Sequence, residues 1–159
     1  MPRILRNSKA GEKNGAVARS IRFEISLDPR LREMAILQVG YTTSCAYEYA
    51  HHIEIGFQFG VSEDDVRAIA EESAGNATQL DPLAKAVLRA AREMTENRAI
   101  ADDTWAILKQ HLDNEQLVDL VLTIAFYNST VCIIESLKLD FEPDADCRRF
   151  LDKFPLPAR

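Results

Sequence analysis

Apolar positions in this chain recur every three to four residues, and the segments that carry them are bounded by helix start and stop signals. Asp28-Pro29 opens the first clear segment. The Asp can cap, and Pro fits the first helical position because it has no N–H to leave unpaired. Leu31, Ala35, Ile36 and Val39 then share a face, and Gly40 is expected to end the helix in a left-handed conformation. Thr42, Thr43 and Ser44 can each cap a second helix, expected over residues 44–59 and closed by Gly60. Ser62 with Asp65, and Val61 with Val66, have the spacing of a capping box and a hydrophobic staple for a third helix. Asp81-Pro82 repeats the Asp-Pro start ahead of Leu83, Ala86, Val87, Ala90, Ala91 and Met94. Asp102 or Asp103 is expected to cap a helix bearing Trp105, Leu108 and Leu112, and Asp113 with Gln116 marks the start of the last one.

That last segment, LVDLVLTIAFYNSTVCIIESL at 117–137, is apolar on almost every side. Such a helix belongs either at the centre of a fold or on a subunit interface. No alternating strand pattern occurs, and ESAGNATQL at 72–80 reads as a loop between two helical halves. The 159 residues suit one all-α domain. Its expected parts are a basic N-terminal arm at 1–24, a helical core at 25–142 and a surface tail at 143–159.

Composition sharpens this picture only in places. Six Gly and six Pro favour helices over strand-and-turn architectures. A net charge of −6 argues against a nucleic-acid partner, which needs Lys and Arg to neutralise phosphates. The first 22 residues run the other way, with Arg3, Arg6, Lys9, Lys13, Arg19 and Arg22 against Glu12 alone. Asn7, Gly11, Asn14 and Gly15 in the same stretch point to a flexible surface arm rather than a transit peptide. No uninterrupted apolar run is long enough to span a bilayer and no signal-peptide pattern is present, so no membrane partner and a cytoplasmic setting are expected. Three widely spaced cysteines do not form a disulfide framework.

The chemistry concentrates in TTSCAYEYAHH at 42–52. On a helix, Cys45, Glu48 and His52 fall at i, i+3 and i+7 and make one stripe, while His51 and Glu54 point elsewhere. A thiol in the first turn gains from the helix macrodipole, which favours thiolate; Glu48 opposes that, and His52 can relay protons. Glu33, on the preceding helix and across a short turn, can face the same stripe. Three ligands so spaced extend over about 10 Å of helix axis, too far for one ion, so no metal site is expected.

LDPRLREMAIL followed by TTSCAYEYAHHIEIGFQFGVSEDDVRAIAEE resembles the carboxymuconolactone decarboxylase family, which includes the alkylhydroperoxidase D-like (AhpD-like) proteins. The resemblance runs over residues 25–142 and is strongest at Arg32-Glu33, CAYEYAHH and the FYN triplet at 126–128. It implies an AhpD-like helical bundle assembled as a trimer or hexamer. Peroxidase members carry Glu, eleven residues, Cys-x-x-Cys, three residues and His. Here Glu33, Cys45 and His52 match, but Glu48 stands where the second Cys would be. Without that thiol the internal disulfide cycle cannot close.

Three functions follow from these residues. The first is a thiol-dependent hydroperoxide reductase using Cys45, with Glu33 and His52 moving protons and an external thiol as reductant. The second is a decarboxylase or isomerase of a small lactone or carboxylate, with acid and base drawn from Glu33, Glu48 and His52 and no cofactor. Arg32 is then the nearest cation for a substrate carboxylate, and Tyr47, Tyr49 and Tyr127 are candidate phenols. The third is a non-enzymatic helical oligomer that binds a small ligand. The redox function is the one the Glu33–Cys45–His52 spacing favours slightly.

Overall fold

A computed structural model describes residues 8–142 and 145–157, and all regular structure among them is helical. The chain runs α1 (Lys9–Phe23), α2 (Pro29–Thr42), α3 (Ala46–Gln58), α4 (Glu63–Ser73), α5 (Pro82–Asn97), α6 (Asp102–His111), α7 (Asn114–Ser136), a 3₁₀ turn (Asp146–Arg149) and α8 (Phe150–Lys153). The Asp-Pro starts work as their chemistry requires: Asp28 accepts from the Leu31 N–H at 3.0 Å and Asp81 from the Ala84 N–H at 2.8 Å. Ser62/Asp65 and Asp113/Gln116 form reciprocal capping boxes.

The central rod is α2. Every residue from Leu31 to Gly40 is buried, because α3, α4, α5 and α7 all pack on it. Helix α7 is long and apolar enough to cross a membrane by length and composition alone. It buries Leu117, Leu120, Ile124, Tyr127, Val131 and Ile134 on one side and leaves Val118 and Leu122 more than half exposed on the other. It therefore does not occupy the centre of the domain.

Three local expectations change. Gly40 does not end its helix; α2 continues to Thr42, and the left-handed residue is Ser44 at φ 51°. The Ser44 N–H bonds the Tyr41 carbonyl and the Cys45 N–H bonds the Gly40 carbonyl, both at 3.0 Å, which closes the helix as a Schellman motif. Gly40 is needed for another reason: a Cβ there would lie 3.2 Å from the Tyr49 backbone, so its absence lets α3 cross α2 closely. Cys45 consequently sits at the N-cap of α3 rather than inside its first turn. Ala101, not Asp102 or Asp103, is the N-cap of α6.

The N-terminal segment departs furthest from expectation. It is a helix, not a flexible arm, capped by Ser8, whose hydroxyl accepts from the Gly11 N–H at 2.9 Å. It lies along α7 with Ile21 buried, and Arg32 Nη1 donates to the Arg22 carbonyl at 2.9 Å, tying α1 to α2. Arg3 and Arg6 lie outside the described residues. The C-terminal segment is likewise seated: the 3₁₀ turn and α8 pack on α3, with Cys147 and Phe154 buried.

Candidate functional site

Short connection and close crossing together aim α2 at α3, and this brings Glu33 to His52. His52 Nδ1 lies 2.8 Å from Glu33 Oε2, and His52 Nε2 lies 3.0 Å from Glu48 Oε1. Arg32 Nε and Nη2 both donate to Glu33 Oε1, at 3.1 and 2.9 Å. The result is a continuous chain of polar groups, Arg32–Glu33–His52–Glu48, whose members are all at least nine-tenths buried. The Arg32 guanidinium also lies 4.6 Å from the centre of the Phe59 ring, which covers its face.

Burial alone would drive His52 neutral, but the Glu48 charge and the hydrogen bonds that its ring N–H groups donate to both carboxylates outweigh it and push its pKa up to about 9. Burial likewise opposes a charge on Glu33, yet the His52 hydrogen bond and charge and the Arg32 charge hold it below the usual carboxylate range. Imidazolium and carboxylate thus stabilise each other inside the protein. The edge of the Tyr127 ring meets the His52 ring at 4.9 Å and 84°, fixing its orientation from the α7 side.

One end of this chain opens into a cavity of about 350 Å³ between α1, α3 and α7. Glu48, His52, Tyr47 and Tyr127 line it, as do Ile55, Phe126 and Ile133. The remaining predicted residues do not reach it. Arg32 is consumed by Glu33 and the Arg22 carbonyl. Tyr49 is in the core against Tyr41, with ring centres 5.8 Å apart. Cys45 is 0% exposed and is not part of the cavity wall. Burial raises its thiol pKa to about 12; the Glu48 backbone N–H pulls the other way, but the Glu48 and Glu135 carboxylates add to the rise. Of the two opposing effects read from the sequence, the one against thiolate prevails, because desolvation and two carboxylates exceed the pull of the helix end.

Several cavity residues escaped the sequence reading. His51 does not point away: it lines the cavity, its Nδ1 lies 2.7 Å from the Tyr47 carbonyl, and its ring stacks on Phe141. Arg19, Arg22 and Phe23 of α1 form the opposite wall. The spacing of Gly15, Ala18, Arg19, Arg22 and Phe23, at i, i+3, i+4, i+7 and i+8, is a helical face that could have been found. The basic residues and glycines obscured it.

A sequence model of the carboxymuconolactone decarboxylase family matches residues 10–93, more than half of the chain, and includes Glu33, Cys45, Glu48 and His52. The protein belongs to the carboxymuconolactone decarboxylase family. The match takes in α1, which the resemblance read from the motifs had left out. No curated protein matches. Among solved structures, a protein of unknown function from Agrobacterium tumefaciens, proposed to be the antioxidant defence protein AhpD, is similar with a TM-score of 0.75. It is 19% identical over 90% of this chain and 98% of its own, a likeness that carries the AhpD-like helical fold. In this family member a carboxylate, Glu48, stands at the cavity end of the polar chain Arg32–Glu33–His52–Glu48.

Proposed function

We propose that this family member is an acid–base enzyme of the decarboxylase or isomerase type acting on a small lactone or carboxylate. The observation that carries it is the division of the site: Glu48 and His52 face the cavity while the Cys45 thiol is enclosed behind it. Glu48 takes a proton from a substrate carbon next to a carbonyl, so that the C–H bond breaks and its electron pair moves to the carbonyl oxygen. His52, protonated and held by Glu33, keeps the Glu48 carboxylate oriented and shares the proton through its Nε2. Glu48 then returns the proton to the rearranged carbon. Arg32 anchors Glu33 and does not meet the substrate.

A hydroperoxide reductase needs a reachable, partly ionised sulfur, and the enclosed Cys45 with its raised pKa counts against that reading. The test compares both activities in the same variants. Deuterium exchange at the carbon next to the carbonyl is followed by NMR over a panel of small lactones and keto acids. Glu48→Gln is expected to lower it by about a hundredfold or more. Cys45→Ser is expected to leave it within a few-fold of the original. Reduction of a hydroperoxide by an external dithiol, abolished by Cys45→Ser, would reverse the assignment.

A further inference from the structure

Among the charged side chains that line the cavity, the cations outnumber the anions. Arg32, Glu33, protonated His52 and Glu48 alternate in sign and cancel within the chain. Two further cations, Arg19 and Arg22, line the opposite wall, 5.7 Å on either count from the centre of the Phe23 ring. Among the described residues neither guanidinium has an ion pair or a side-chain hydrogen bond. Glu142 is a further carboxylate beside the α3 wall, 3.8 Å from His51 and 3.4 Å from the Tyr47 hydroxyl, but it does not line the cavity; on a protein of net charge −6, the lining side chains themselves carry a local surplus of positive charge.

A third group points the same way. Tyr127 is 6% exposed, and its hydroxyl has no hydrogen-bond partner among the described residues although it lines the cavity. Burial, followed by the Glu48 and Glu33 charges, raises its pKa, while the Arg22 and Arg32 charges lower it, so the phenol stays a neutral donor within range of both Glu48 and Arg22. A hydroxyl that opens onto a cavity and has no protein acceptor is placed to donate to a ligand acceptor there.

We propose that the cavity selects an apolar monoanion, a small carboxylate held by Arg22 and Arg19 with the Tyr127 hydroxyl donating to it, its hydrocarbon body lying against Ile55, Phe126 and Ile133. The proposal deepens the acid–base reading by naming what the same cavity admits and making α1 the selecting wall. Arg19 and Arg22 thereby take the role that the sequence gave to Arg32.

Calorimetric titration of the full chain near neutral pH with benzoate and hexanoate, against benzamide and hexanamide, tests it. The acids are expected to bind about tenfold or more tightly than the amides, the scale of a charge-assisted hydrogen bond. Arg22→Gln combined with Arg19→Gln is expected to abolish that preference with an unchanged thermal melt, and Arg22→Lys to retain part of it. Equal affinity for acid and amide, no acid binding at millimolar concentration, or a preference that survives the double variant would overturn the proposal. Glu48→Gln separates it from the catalytic reading. Acid binding should persist or tighten when that like charge is removed, whatever happens to proton exchange. Loss of acid binding in Glu48→Gln with an unchanged melt would place the anion elsewhere and count against it.

Discussion

Glu33 and His52 are buried ionisable groups that remain charged because they face each other, at 2.8 Å. Their mutual dependence makes stability pH-dependent in a defined direction. The folded protein binds the His52 proton more tightly than the unfolded chain does, since its pKa is raised from 6.5 to about 9. This contribution is complete below the unfolded value and is lost as pH rises through about 9. Glu33, held low, contributes in the opposite sense, and its share is lost on acidification. Denaturant midpoints measured from pH 6.5 to 9 are therefore expected to fall steadily, and in His52→Gln the fall is expected to flatten. An equally steep fall in the variant would place the titrating group elsewhere. The residue types of this cluster were visible in the sequence, and so was the placing of Glu48 and His52 on one stripe with Cys45. The fate of Cys45 was not, because desolvation depends on what covers a sulfur, and α3 supplies only one side of the cover.

At the scale of elements, the site depends on how closely α3 crosses α2. Gly40 permits that approach. Alanine in a helix interior is favoured over glycine by about 1 kcal/mol. At Gly40, however, the added Cβ would meet the Tyr49 Cα and N at 3.2 Å, and backbone atoms cannot turn aside. Gly40→Ala is therefore expected to destabilise the protein by about 1–3 kcal/mol, the usual range for overpacking, as read by urea denaturation. A stabilised variant would mean that the crossing can widen without loss. The same position shows the limit of local signals. A glycine after an apolar run looks like a helix stop, but here Ser44 takes the left-handed conformation. Helix α1 is the converse case: Ser8 and a good apolar spacing were present, and its charge and glycines resembled an arm.

At the scale of the molecule, α7 buries one apolar side in the domain and presents Val118 and Leu122 on the other. The family resemblance implies trimers or hexamers, and this face is where self-association is expected. Sedimentation at micromolar concentration should give an oligomer for the natural chain and a smaller species for Leu122→Glu, with helical content unchanged. A natural chain that sediments as a monomer would remove this role. The sequence left two places for so apolar a helix, and the domain's centre is filled by α2 instead. That choice depends on which helix the other four surround, and the apolar pattern of each helix taken alone does not contain it.

The sequence by itself determined the helices α2 to α7, the caps at Asp28, Ser62, Asp81 and Asp113, and the placing of Glu48 and His52 on one helix with Glu33 on the one before it. Those properties follow from periodicity, from Asp, Ser and Pro at helix starts, and from spacing along one rod. Only the tertiary structure decided which groups share a cavity, which keep a charge and which are sealed. Arg32 was drawn to Glu33, Cys45 was enclosed, and Arg19 and Arg22 of α1 were brought to the same cavity as Glu48. The physical reason is that solvation and charge pairing are set by neighbours from other helices, which no local stretch of sequence specifies.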